Sequence, residues 1–300
     1  MKETALLFGP SRSLVGIVSE PAEPRQADSR PAVLLLNAGL VHRVGPQRIY
    51  VKMARHLTIL GFTVLRFDFS GIGDSKARRD HLPFVDSSVA ETCAAMDWLH
   101  RLRGVERFMV IGICSGAAVS FATACRDSRI VGVLLINPAA VHLHESTDEP
   151  DPTIAKRAMS RHFWQIALFS SFRAQNFFRM LTGRVDYLKV LKGMNGFSLA
   201  NLFQNSSKSA SAAAAFESKL RMLRDRGVRP CYFFAEGDEG LDYLNTLCGA
   251  RLADWCGEKG LMTMEIIAGA NHTFTMLWSQ QALLAKVENW AKTFAEGARS

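Results

Sequence analysis

Cys114, Asp238 and His272 are residues of the right types, in a usable chain order, for nucleophilic acyl chemistry. A cysteine nucleophile needs a base to hold it as thiolate and to protonate the leaving group, and that base needs an orienting acid. Cys114 stands in Gly112-Ile113-Cys114-Ser115-Gly116, directly after the apolar run Phe108-Met109-Val110-Ile111. A strand that turns sharply into a helix strains the residue at its tip and needs small residues two positions to either side. Gly112 and Gly116 meet that need around Cys114. Ser115 is the rival tip, but centring the motif there would put Ile113 and Ala117 at the small positions, and isoleucine is too bulky.

The acid and the base follow in order. Asp238, in Ala235-Glu236-Gly237-Asp238, comes just past the apolar run Cys231 to Phe234, and Glu236 and Asp242 are close enough to substitute for it. His272, in Gly269-Ala270-Asn271-His272-Thr273-Phe274, comes just past Thr263 to Ile267; the other histidines lack such a placement. Acyl transfer also needs donors for the developing oxyanion. One is expected from the backbone N–H of Ser115, and the second from Leu40 or Gly39 in the turn Asn37-Ala38-Gly39-Leu40.

These residues need a scaffold that brings loop ends together. Short β-branched runs (14–18, 33–36, 63–67, 108–111, 131–136, 231–234, 263–267) read as strands. Longer helical patterns (47–60, 85–102, 115–125, 212–226, 243–256, 279–295) fall between and after them. That alternation is the signature of a mostly parallel α/β sheet covered on both faces. The rhythm breaks after Asn137-Pro138. Residues 139–211 are aromatic-rich, basic and helical in spacing, so we expect a core of 1–138 and 212–300 carrying a helical cap insertion over 139–211.

With these motifs placed, the chain resembles the α/β-hydrolase superfamily over nearly all of its length outside the insertion. The elbow, the nucleophile–acid–histidine order, the G-x-x-H near the end and Asp68-Phe69-Ser70-Gly71-Ile72-Gly73-Asp74-Ser75 carry the resemblance. The resemblance implies a structural role for that last stretch. Residues 37–46 also look like bacterial hydrolases found beside exosortase and exopolysaccharide genes. The chain departs from the family pattern by placing Cys114 at the elbow serine and Asn37-Ala38 at the His-Gly of the oxyanion loop. Dienelactone hydrolases share the cysteine, but they are smaller and lack such a cap.

Composition narrows the remaining choices. With 300 residues, 48% of them hydrophobic, the chain can bury a sizeable core. The apolar patch near Met1 is too short for a signal sequence, and no run is long enough to span a membrane, so a cytoplasmic protein is expected. Six cysteines without C-x-x-C spacing argue against a zinc site or a disulfide framework, and no cofactor is implied. The net charge is +8, and residues 151–229 alone hold 14 Lys/Arg against 4 Asp/Glu. Arg221, Arg224, Arg226 and Arg229 are candidates to steer an acidic acyl carrier protein or coenzyme A, or else form a solvated face. Nucleic acid is a poor alternative, because no binding motif accompanies the charge. A thioesterase or acyltransferase forming a thioester on Cys114 is the expected function. A non-covalent lyase or ligand-binding protein of the same fold is the alternative, and an inactive interaction protein is a further one.

Overall fold

Apolar runs too short for helices become strands here because both of their faces are covered. The computed structural model describes residues 1–22, 30–80, 82–138, 200–257 and 259–296, with 200–210 and 296 as backbone alone. Its strands are β1 (Lys2–Phe8), β2 (Leu14–Glu20), β3 (Ala32–Leu36), β4 (Val64–Phe67), β5 (Phe108–Ile113), β6 (Ile130–Ile136), β7 (Cys231–Ala235) and β8 (Thr263–Ile267). Every residue of β3, β4, β5 and β7 is buried, as expected of strands inside a two-sided sheet.

The sheet order is β1-β2-β4-β3-β5-β6-β7-β8. β1 and β2 form an antiparallel edge, β2 meets β4 antiparallel, and every later pairing is parallel. The helices are α1 (Ile49–Ile59), α2 (Phe84–Arg103), α3 (Ser115–Arg126), α4 (Ala200–Asp225), α5 (Glu239–Cys248), α6 (Arg251–Cys256) and α7 (Leu277–Glu296). Tyr50, Met53 and Leu57 of α1 and Leu283 and Val287 of α7 cover one face with Val33, Leu35 and Ile111. Met96 and Leu99 of α2, Val119 and Phe121 of α3 and Phe216 and Leu220 of α4 cover the other with Leu34, Leu36 and Val110.

Because β3 through β8 run parallel, the segments after β3, β5, β6, β7 and β8 emerge at one edge of the sheet. That edge receives Gly39, Cys114, Asn137, Asp238 and His272. The strand ends are nearly level: Leu36 pairs with Gly112, and Ile113 with Ile136. Fully buried Tyr50 locks the first two ends, its hydroxyl donating to the Leu36 carbonyl (2.7 Å) and accepting from the Ile113 N–H (3.0 Å).

Three elements differ from the sequence reading. β1 was not expected; Lys2–Phe8 alternates in exposure and pairs along its length with β2 through a turn at Gly9, whose φ is 73°. The single helix expected over 243–256 is two, interrupted at Gly249 (φ 55°), and the first begins earlier, at Glu239. The helix expected from 212 begins at Ala200, so the polar stretch 205–209 is helical. The rest of the expected cap, 139–199, lies outside the described residues. The sheet and its helices, up to residue 138 and again from 212, form one compact unit.

Replacing Tyr50 by phenylalanine strands a buried N–H and a buried carbonyl between β3 and β5. Such orphaned groups cost about 1–3 kcal/mol each, so a lower urea midpoint with an unchanged slope is the expected result.

Candidate active site

The turn from β5 into α3 is compressed to backbone-on-backbone contact. A Cβ built on Gly112 would lie 2.1 Å from the carbonyl carbon and oxygen of Gly116. One built on Gly116 would lie 2.5 Å from the Asn37 carbonyl oxygen and 2.6 Å from that of Leu36. The helix can start this close to the sheet only with glycine at both places. Between them Cys114 takes φ 57°, ψ −119°, a strained conformation for a residue with a side chain. Its half-buried side chain sits at the tip, and Ser115 opens α3.

His272 and Asp238 arrive from the neighbouring strand ends. Asp238 caps α5, its Oδ1 accepting the Gly240 N–H (2.9 Å). Its buried Oδ2 accepts from Nδ1 of His272 (2.6 Å). Of the two rivals, Glu236 instead accepts the Gly269 N–H (2.7 Å), and Asp242 lies on α5 beyond the cap. With Nδ1 committed to the acid, Nε2 is the ring nitrogen left to act on Cys114, and the two groups shift one another's pKa.

The charges follow from those contacts. Burial alone would raise the Cys114 thiol, but the hydrogen bond and charge of His272, with the Ser115 N–H, outweigh it and lower the pKa below the usual thiol value. Burial likewise opposes charge on His272, yet its bonds to Asp238 and Cys114 push it up to about 10. The two shifts act in the same sense, each favouring the thiolate–imidazolium pair over the neutral one. Each of the other five cysteines is shifted upward by burial, Cys248 to about 12.

Of the two residues expected to give the second oxyanion donor, Gly39 is already engaged. The Gly39 N–H donates to the Ser115 hydroxyl (2.8 Å), while the Leu40 side chain is almost fully exposed. Asn37, at the family's histidine position, ties the loop down instead. Its Oδ1 accepts the Phe69 N–H (2.8 Å), and its Nδ2 donates to the Val41 carbonyl (2.9 Å) and, more weakly, to Asp68 (3.4 Å). Asp68 also accepts the Arg43 N–H (2.5 Å) and pairs with the Arg43 guanidinium, a structural role in keeping with the resemblance.

Sequence reading missed Asn137. Fully buried with φ 43°, it accepts the Ala235 N–H (2.7 Å) and donates to the His272 carbonyl (2.8 Å), joining β7 to the histidine loop. An asparagine at the end of an otherwise apolar strand was the available signal. Phe274 (φ 51°), fully buried, anchors the same loop in the core.

Of the four arginines considered for an anionic carrier, two hold backbone carbonyls and two make exposed ion pairs. Arg226 donates to the carbonyls of Ala124 (2.8 Å) and Asp127 (2.7 Å), and Arg229 to those of Gly257 (2.5 Å) and Met262 (3.2 Å). Arg221 pairs with Glu217 (2.5 Å) and Arg224 with Asp225 (3.3 Å). Arg226 and Arg229 come just before β7, hence at the edge of the sheet opposite Cys114, and hold the chain entering that strand. Among the described residues no His/Cys/Asp/Glu group could hold a metal ion, and no helix is long and apolar enough to cross a membrane.

Gly116→Ala is expected to cost more than the roughly 1–3 kcal/mol of ordinary overpacking, since the new methyl meets carbonyl oxygens rather than pliable side chains; chemical denaturation measures it. For the ion pair, NMR titration of the His272 ring should give a pKa near 10. In Cys114→Ser that pKa should fall, because a neutral hydroxyl cannot stabilise the imidazolium.

A family model described as "alpha/beta hydrolase fold" matches residues 31–165. No curated protein matches the chain in sequence. Among solved structures, a putative α/β-hydrolase of unknown function from Agrobacterium tumefaciens is 17% identical, with 99% of this chain and 97% of that one covered at a TM-score of 0.57. A lidless serine hydrolase from Xanthomonas campestris is 17% identical over 98% and 95% of the two chains, TM-score 0.53. A dienelactone hydrolase from Anabaena variabilis is 12% identical over 97% of each, TM-score 0.55. At these identities the likeness speaks to architecture, and together with the strand order and the elbow it identifies the chain as a protein of the α/β-hydrolase fold.

Proposed function

We propose that this protein is an acyl hydrolase or acyltransferase that forms a covalent thioester on Cys114, with His272 as acid and base and Asp238 as its orienting partner. The observation that carries the reading is the thiol itself. Cys114 alone among the six cysteines is shifted downward, and it sits at the strained tip where its thiol is lowered by a histidine held by a buried carboxylate.

In the forward half-reaction the thiolate adds to the acyl carbonyl carbon, and the carbonyl π electrons move to oxygen. The Ser115 N–H at the start of α3 and the Ser115 hydroxyl, polarised by the Gly39 N–H it accepts, are the donors for that oxyanion. Collapse breaks the bond to the leaving group, which takes the Nε2 proton of His272. In the second half-reaction neutral His272 removes a proton from the acceptor, which attacks the thioester and expels the Cys114 thiolate. Rate should fall in acid as the thiolate is protonated, and fall again as pH rises through about 10, where the imidazolium loses its proton.

A thioester intermediate exchanges readily with amines and thiols, so transfer, or hydrolysis of an activated thioester, suits this site better than hydrolysis of an ordinary ester. Exposed Leu40 and Val41 in the oxyanion loop, and Met276, Leu277 and Trp278 just after His272, favour an apolar acyl group. Acyl groups carried on coenzyme A or an acyl carrier protein are the proposed donors.

The test is intact mass after incubation with a panel of acyl thioesters on both carriers. An acyl adduct on the native protein, absent from Cys114→Ala, is expected. Ser115→Ala should keep the adduct and lose less than about tenfold in rate. Removing an oxyanion donor outright costs roughly a hundredfold or more, but here the freed Gly39 N–H takes the hydroxyl's place. No adduct and no thioester consumption would transfer the assignment to a non-covalent lyase or receptor.

A further inference from the structure

Among the described residues Arg66 is the only buried basic side chain. It belongs to β4, on the face of the sheet that carries Val64 and α1, where an apolar residue would complete the core at no electrostatic cost. Its Nη2 is 3.7 Å from Oε1 of Glu3, beyond hydrogen-bond distance, and its Nε has no partner. Burial, with the like charges of Arg43 and Arg55, lowers its pKa. A guanidinium kept in that condition is expensive for the fold.

Arg66 lines a cavity of about 360 Å³ together with His42, Arg43, Arg48, Arg55 and Asp74. The cavity draws on the loop after β3, the start of α1, and the loop after β4. The carboxylates present do not satisfy the cations. Asp68 and Asp74 are both taken by Arg43, and the single carboxylate of Glu3 is divided between Arg55 (3.0 Å) and Arg66. Exposed Arg48 makes no ion pair among the described residues. Arg43, Arg48, Arg55 and Arg66 thus converge on one space with an unpaired charge and an unused buried donor.

We propose that this cavity binds a phosphate monoester or a diphosphate. Such a group presents several terminal oxygens on one centre and can accept from more than one guanidinium fork at once, which a carboxylate does less well. A space of about 360 Å³ suits a small-molecule phosphate rather than a polyanionic strand. His42 follows Gly39 by three residues, at most about 11 Å of extended chain, so that part of the cavity lining lies near the loop that follows β3. Its binding requires no chemistry at Cys114, and the inference therefore stands apart from the function proposed above.

Calorimetry with pyrophosphate, adenosine 3′,5′-bisphosphate and 4′-phosphopantetheine, on native protein and on Cys114→Ala, tests this. The expected result is saturable binding of at least one probe, equal in the two proteins and weakened at higher salt. The preferred probe separates a nucleotide phosphate from a pantetheine phosphate or a free diphosphate. Arg48→Asn, chosen because asparagine tolerates the left-handed backbone there (φ 61°), should weaken binding tenfold or more. Glu3→Gln should strengthen it several-fold by freeing Arg55 and Arg66. Arg66→Met should abolish it, and the Arg48 and Glu3 variants decide the matter where that core substitution fails to fold. Absence of binding at millimolar probe, indifference to both Arg48→Asn and Glu3→Gln, or equal affinity for acetate would overturn the proposal.

Discussion

The contact between Gly112, Gly116 and the carbonyls ending β3 is the constraint on which the rest of the site depends. With Cβ positions 2.1 to 2.6 Å from backbone atoms, the approach of α3 to the sheet is closed to any side chain. That approach pins Cys114 in a conformation that costs on the order of 1–3 kcal/mol. It also aims the first amide of α3 at the sulfur, where the field of a helix amino end favours negative charge. Loosening the elbow would release strain and lose one of the contacts that favour the thiolate.

Fixing one strand end is not enough, because the remaining groups come from four other loops. Parallel strands finish with unpaired backbone groups at their carboxyl edge, and here buried polar side chains take them up. Tyr50 joins β3 to β5, Asn137 joins β7 to the His272 loop, and Asn37 with Asp68 joins the loops after β3 and β4. Each is both packing and placement, so the histidine and the oxyanion loop are held by the same bonds that close the core. Hydrogen bonds within such a network reinforce one another, and one lost partner leaves several buried groups unsatisfied.

The parts legible in the sequence were those that a local rule dictates. Gly112 and Gly116 flank Cys114 because sterics demand it, and the strands are apolar because both faces are covered, so the elbow and the parallel sheet could be read directly. Positions of Asp238 and His272 followed once strand ends were known. What could not be read was long-range pairing. Asn137 stands out at the end of an apolar strand, but its partners Ala235 and His272 lie 98 and 135 residues away, and the bond from Gly39 to Ser115 joins residues 76 apart. The edge on which Arg226 and Arg229 fall depends on the direction of β7. Their charge was visible, whereas its use in holding backbone carbonyls was not. β1 was overlooked because an edge strand buries one face only and shows weaker periodicity.

On the proposed function, a cysteine nucleophile at the elbow also accounts for the altered oxyanion loop. A serine site begins neutral, so attack creates both an imidazolium and an oxyanion, and the transition state needs every donor the loop can offer. In the thiolate–imidazolium pair the charges exist beforehand; attack only moves negative charge from sulfur to the carbonyl oxygen. Less new charge has to be stabilised, and the demand on fixed donors falls accordingly. The loop can then spend the Gly39 amide on Ser115 and replace the family histidine with an asparagine that braces the backbone. On the function proposed here, the exchange of serine for cysteine and the departure at Asn37-Ala38 are two sides of one electrostatic arrangement.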